Sequence, residues 1–184
     1  MDIRSEISQG QAITLEAMLA RRDALEALLN ERQGPVYQVV CQCNVPGAVK
    51  NWPRLTAFFQ AQCAELVQSL KEEELKPRLI RSEPELITGP LCIFEILRYE
   101  ILAWELKAAL VAFEDAYPWR RLLDCDLRYN GAYLSREQLG DAPRPCLLCD
   151  APAILCRRSQ EHSQGAFDLR VSELLALAEE RGGL

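Results

Sequence analysis

The chain has 184 residues, 49% of them hydrophobic and 26% charged, with a formal net charge of -6. That length buries a core without staples, and the composition excludes long disorder. The acidic balance excludes a general nucleic-acid binder, which needs a basic surface to release counterions.

The N-terminus, MDIRSEISQGQAITLEAML, lacks the apolar core of a signal peptide. The most apolar span, 91–113, is broken by Glu95, Arg98, Glu100, Glu105 and Lys107, so no membrane helix is expected. A cytoplasmic location follows, and in that reducing setting eight cysteines point to packing or metal binding more than to disulfides. One domain over 1–184 is expected, with a tail at 1–12.

Taken in chain order, Thr14 reads as the N-cap of a first helix, with Leu15, Met18, Leu19, Arg22, Leu25, Leu28 and Leu29 at helical spacing and Gly34-Pro35 closing it. The next segment, VYQVVCQCNV, alternates with period two and reads as a strand, placing Cys41 and Cys43 together on its more apolar face. Pro46-Gly47 is the pair a type II turn prefers. That turn, ending in Lys50, is either an ordinary connection or a phosphate cradle.

Trp52-Pro53 opens a second helix, carrying Leu55, Phe58, Phe59, Cys63, Leu66, Val67 and Leu70. Two short strands are expected at Arg78 to Arg81 and Leu91 to Ile96. A third helix follows over about Tyr99 to Ala116, with Leu102 and Leu106 inward and Tyr117-Pro118 as its stop. From Arg121 to Tyr129 the alternation returns, putting Asp124, Asp126 and Arg128 on one face and Leu123, Cys125 and Leu127 on the other. Asn130-Gly131 is a hairpin signal, so Ala132 to Ser135 should return antiparallel. A loop over 143–163 and a last helix within 166–182, starting near Phe167, complete the chain. The order of elements suggests an α+β domain with one mixed sheet covered by helices.

Most of the unusual chemistry falls between Trp119 and His162. Asp124 and Asp126, about 6.6 Å apart along one strand face, can converge on a hard divalent ion such as Mg2+. Arg120, Arg121 and Arg128 flank the pair, and arginine suits phosphate oxygens. A solvated strand face is the competing reading. Cys146, Cys149, Cys156 and His162 form the inventory of a Cys3His zinc site, competing with free thiols in a packed loop. Such a site would be structural, because four protein ligands leave no open position. His162 is the only histidine. If it binds metal, a proton in any reaction must go to a carboxylate or to the substrate.

These residues carry a resemblance. PWRRLLDCDLRYNGAYLSREQLGDAPRPCLLCDAPAILCRRSQEHS is similar to the signature of the apo-citrate lyase phosphoribosyl-dephospho-CoA transferases, also called holo-citrate lyase synthases. Their pattern G-R-L-[WF]-D-I-D-V, then I-S-R, then R-x-C-L-x-C-x6-C-x-R-x3-H is met at Arg121-Leu122, Asp124, Asp126, Ser135-Arg136, Arg144, Cys146, Cys149, Cys156, Arg158 and His162. Upstream, Arg22-Asp23, Asn44-x-Pro46-Gly47-x-x-Lys50, Thr88-Gly89-Pro90 and Leu106-Lys107 extend the likeness.

The resemblance implies transfer of phosphoribosyl-dephospho-CoA from 2'-(5''-triphosphoribosyl)-3'-dephospho-CoA to a serine of the citrate lyase acyl-carrier subunit, with release of diphosphate. It implies Asp124 and Asp126 as Mg2+ ligands, one doubling as base, and Arg121 beside them. Asn44, Gly47, Lys50, Arg136, Arg144 and Arg158 would hold phosphates. A nucleotidyltransferase-like sheet carrying the aspartates at its edge is expected by analogy. Two alternatives stand beside it: a zinc-stabilised, non-catalytic module that binds an acyl-carrier protein, and the same transfer to another carrier, such as that of malonate decarboxylase. The chain departs from the pattern at Arg120, where glycine is usual, at Leu123, where an aromatic is usual, and at Leu25 and Leu29, where Arg and Gln are usual.

Overall fold

A computed structural model describes residues 6–7, 9–32 and 34–182. Its described elements run α1 (Leu15–Asn30), β1 (Val36–Cys43), α2 (Pro53–Glu72), β2 (Arg78–Glu83), β3 (Leu91–Leu97), α3 (Ala103–Asp115), β4 (Leu123–Tyr129), β5 (Ala132–Leu134), α4 (Ala153–Ser159) and α5 (Gln164–Glu180). The α+β class and the single helix-covered sheet are as expected. The strands lie in the order β2-β3-β1-β4-β5. Every pairing is antiparallel rather than mixed. None of the connections between paired strands forms the right-handed crossover that parallel neighbours require.

β1 sits at the centre, which is why Val40, on the face with the glutamines, is as buried as Val39. One face packs Tyr37, Val39, Cys41, Phe94, Ile96, Cys125 and Leu127 into the main core with residues of α2, α3 and α5. The opposite face is covered by α1 alone, through Leu29, Leu25 and Leu28 on Val40, Leu91 and Ile93. Each fully buried leucine of this kind contributes roughly 1.5–3 kcal/mol.

Two turns formed as the sequence suggests. Thr14 accepts a bond from the Ala17 N–H at 3.2 Å. Asn130 and Gly131 both take positive φ, at 50° and 79°, and pair Tyr129 with Ala132, the geometry of a type I′ turn.

Other expectations are corrected. On α1 Met18, Leu25, Leu28 and Leu29 face inward at the expected spacing, but Leu15, Leu19 and Arg22 are exposed, while Arg21 is half-buried. α3 starts at Ala103, because Glu105 reaches back to the Leu102 N–H at 3.2 Å. Leu102 therefore lies outside the helix and is exposed. Residues Pro118–Leu122 form a 3-10 turn, so Arg121 precedes the strand. α5 begins at Gln164, capped by the Ser163 hydroxyl, which accepts from Ala166 N–H at 3.3 Å. The seven-residue α4 was not anticipated, being too short to show helical periodicity. Of the expected tail, residues 1–5 and 8 lie outside the described residues. The described part is docked: Ala12 bridges to Val49 and Glu6 pairs with Arg54 at 3.1 Å.

Candidate active site

The site is built on the first half of β4. Across the sheet Asp124 faces Gln42 and Asp126 faces Val40, so both carboxylates stand on the face toward α1. β5 pairs only with Leu127, Arg128 and Tyr129. The backbone of β4 at the aspartates is consequently a sheet edge, and its unpaired groups need partners.

α3 supplies them. Buried Glu114 accepts the Cys125 N–H at 2.6 Å, and buried Lys107 donates to the Cys125 carbonyl at 3.2 Å. Two buried charges thus stand in for a missing strand. Glu114 also pairs with Arg136 and, at 2.6 Å, with Arg144. Arg136 adds Asp115 at 2.9 Å. Arg144 donates to the Leu123 carbonyl at 2.8 Å and lies 3.5 Å from Asp124.

Asp124, Asp126, Arg136 and Arg144 are therefore brought together, organised by two residues that the sequence reading did not single out for the site. Lys107 and Glu114 are seven apart, two turns on one helix face, and charges at inward positions of that spacing were the available signal. Burial and the neighbouring Asp124 push the Asp126 carboxyl up to about 6, against the pull of Lys107. Two crowded, hard oxygen donors with unmet negative charge suit a divalent cation.

The remaining sites are scattered. Arg121 donates to the carbonyls of Pro145 and Cys146 at 3.0 and 2.6 Å, tying the cysteine loop to β4. Arg120 is buried on the core side, bonded to Gln62 at 2.9 Å and the Phe113 carbonyl at 3.2 Å and stacked 3.7 Å from the Phe113 ring. Arg128 is buried against Gln38, at 2.8 Å, and Asn30. Neither flanks the aspartates as a phosphate ligand; both hold helices to the sheet. Arg158 is exposed on α4 and, among the described residues, is in no ion pair with Asp124 or Asp126.

Asn44 is exposed, its N–H spent on the Leu122 carbonyl at 2.7 Å. Gly47 has φ 96°, as the expected turn requires, and a Cβ there would strike Gln164 at 2.4 Å. Lys50 closes that turn by donating to the Val45 carbonyl at 2.7 Å.

The cysteine loop folds as a knuckle. Pro145 bridges to Pro152, the Cys146 N–H reaches the Ala151 carbonyl at 2.8 Å, and the Leu148 N–H reaches Cys146 Sγ at 3.5 Å. Cys149 Sγ lies 3.5 Å from Cys156 Sγ and 3.3 Å from His162 Nε2, and the four ligand atoms lie within 4.8 Å of one another. The group can hold a metal ion. Tetrahedral zinc with ligands at about 2.3 Å sets sulfurs about 3.8 Å apart, close to this spacing. All eight cysteines are free. Among the described residues no helix is long and apolar enough to cross a membrane.

Comparison with known proteins is consistent across the chain. The family model described as apo-citrate lyase phosphoribosyl-dephospho-CoA transferase matches residues 13–177. "Protein CitXG" of Leuconostoc mesenteroides subsp. cremoris is 33% identical over 134 residues, covering 72% of this chain; the chain spans only 28% of that protein. A "Probable apo-citrate lyase phosphoribosyl-dephospho-CoA transferase" of Streptococcus pyogenes serotype M18 is 29% identical over 180 residues, covering 90% of this chain and 87% of its own. The "Apo-citrate lyase phosphoribosyl-dephospho-CoA transferase" of Shigella flexneri serotype 5b is 28% identical over 183 residues, with 95% of each chain covered.

Proposed function

The chain belongs to the apo-citrate lyase phosphoribosyl-dephospho-CoA transferase family, and from that premise we propose that it is the transferase that loads the prosthetic group onto apo-citrate lyase. Its donor is 2'-(5''-triphosphoribosyl)-3'-dephospho-CoA and its acceptor a serine of the acyl-carrier subunit. The observation that carries the reading beyond family membership is the pair Asp124 and Asp126, on one face at the open edge of β4 with Arg144 3.5 Å from Asp124.

In the transfer, the serine oxygen forms a bond to the innermost phosphorus of the triphosphate. The bond from that phosphorus to the leaving diphosphate breaks, and the serine proton passes to a carboxylate of the pair. His162 is not available for that proton, since it lies among the loop cysteines. Asp124 and Asp126 would hold Mg2+, which neutralises triphosphate oxygens when bound. Arg144 orients Asp124, its own charge being answered by Glu114 and Asp124.

Cys146, Cys149, Cys156 and His162 would hold zinc, which would brace the loop that Arg121 ties to the start of β4 and from which Arg144 enters the site. Arg120, where the family usually has glycine, is absorbed by core contacts with Gln62 and Phe113, on the other side of the sheet from the aspartates. That departure therefore leaves the chemistry intact. A cytoplasmic setting suits the eight free thiols.

The test is diphosphate release. With donor, Mg2+ and apo carrier, diphosphate should appear in proportion to carrier and fall to background when the carrier serine is replaced by alanine. Release that is independent of the serine would reject the transfer.

A further inference from the structure

The arginines named for phosphate are already occupied. Arg136 is paired with Glu114 and Asp115, Arg144 with Glu114 and Asp124, and Arg121 with two loop carbonyls. Guanidiniums neutralised by their own carboxylates have little left for a second anion. Two other cations stand differently.

Arg21, on the inward face of α1, makes one weak bond, to the Pro90 carbonyl at 3.5 Å, and its Nε is buried with no partner. Among the described residues Lys50 bonds only the Val45 carbonyl. Among the described residues neither is in an ion pair. Two acidic groups act on Arg21 through space: Cys43, whose thiol burial pushes up, and Glu83, which is itself bonded to Arg81.

The Lys50 ammonium is near enough for Arg21 to act on it through space, and the Arg21 guanidinium and the stem of Lys50 meet at Gly89. The vacant Cβ position of this residue, at φ 112°, lies 3.7 Å from both Arg21 Nη1 and Lys50 Cβ. Burial pulls both cations below their ordinary values, and Arg21 pulls Lys50 further. Two like charges held close, half-buried and hydrogen-bonded to carbonyls rather than ion-paired, are costly unless an anion joins them.

We infer that Arg21 and Lys50 form an anion subsite for a phosphate group of the donor, separate from the subsite at Asp124 and Asp126. Pro90 and Val45 place it beside the start of β3 and the end of β1. Leu91 faces Gln42, which faces Asp124. The two subsites are therefore at the same end of the sheet, about two strand spacings or ~10 Å apart. This inference rests on the proposed function for the donor, which carries a triphosphate and, across its nucleoside, the diphosphate of dephospho-CoA. One subsite for each follows.

Isothermal titration with dephospho-CoA, and separately with tripolyphosphate plus Mg2+, tests this in the full chain. Arg21→Gln and Lys50→Met should each weaken one of these probes about 10-fold, equivalent to ~1.4 kcal/mol, and leave the other unchanged. Loss on dephospho-CoA assigns the subsite to the nucleotide diphosphate; loss on tripolyphosphate assigns it to the triphosphate. Arg22→Gln, one position along and exposed, should change neither and controls for helix disruption, with circular dichroism of all variants.

Native affinity for both probes in both variants overturns the subsite. So does equal weakening by Arg22→Gln. A native protein that binds neither probe overturns it as well. The reading as a transferase is tested apart, by diphosphate release, so the subsite and the activity can fail independently.

Discussion

Two basic regions of the molecule look alike in the sequence and differ in the fold. Around Glu114, Arg136 and Arg144 are drawn into carboxylates, and Lys107 is spent on the backbone of β4. Around Gly89, Arg21 and Lys50 hydrogen-bond carbonyl oxygens and, among the described residues, are in no ion pair. The first region is architecture that shapes a catalytic edge; the second has charge left over for a ligand. The difference teaches that an arginine's role here is set by which acids the fold brings to it, not by its presence in a signature.

The comparison breaks most visibly at Glu114. Glu114→Ala orphans the Cys125 N–H and leaves Arg136 with Asp115 and Arg144 with Asp124 alone, and should cost about 3 kcal/mol of stability, read as a loss of urea midpoint. A variant as stable as the native protein would show that the cluster is not architecture. The Asp pair should behave oppositely. Asp124→Asn or Asp126→Asn should cut transfer by about 10²-fold or more while the urea midpoint stays near the native one.

Arg120→Gly, which restores the usual family residue, empties bonds to Gln62 and Phe113 and should cost about 1–3 kcal/mol, with the rate per folded molecule retained. Stripping metal from the Cys3His loop with a chelator should lower thermal stability and release about one equivalent of zinc. Release of none, in protein purified without chelator, removes zinc from the account.

Much of this was legible. The strand carrying the aspartates, the Asn130-Gly131 turn, the Thr14 cap and the cysteine spacing are local features, decided by neighbours in the chain. What escaped depends on distant packing. In α1, leucine and alanine occur on several sides of the helix, so periodicity could not choose between Arg21 and Arg22 as the inward arginine. Arg120 and Arg128 sit within the signature, yet their roles depend on Gln62, Phe113, Gln38 and Asn30, all remote in sequence. Glu114 and Lys107 became meaningful only once β5 proved too short to cover β4.

The most direct measurement is the intact mass of the acyl-carrier subunit of citrate lyase after incubation with this protein, triphosphoribosyl-dephospho-CoA and Mg2+. The account predicts a gain equal to one phosphoribosyl-dephospho-CoA group with the native chain and no gain with Asp124→Asn or Asp126→Asn. An unchanged carrier mass with the native chain, or full modification by both variants, would contradict it.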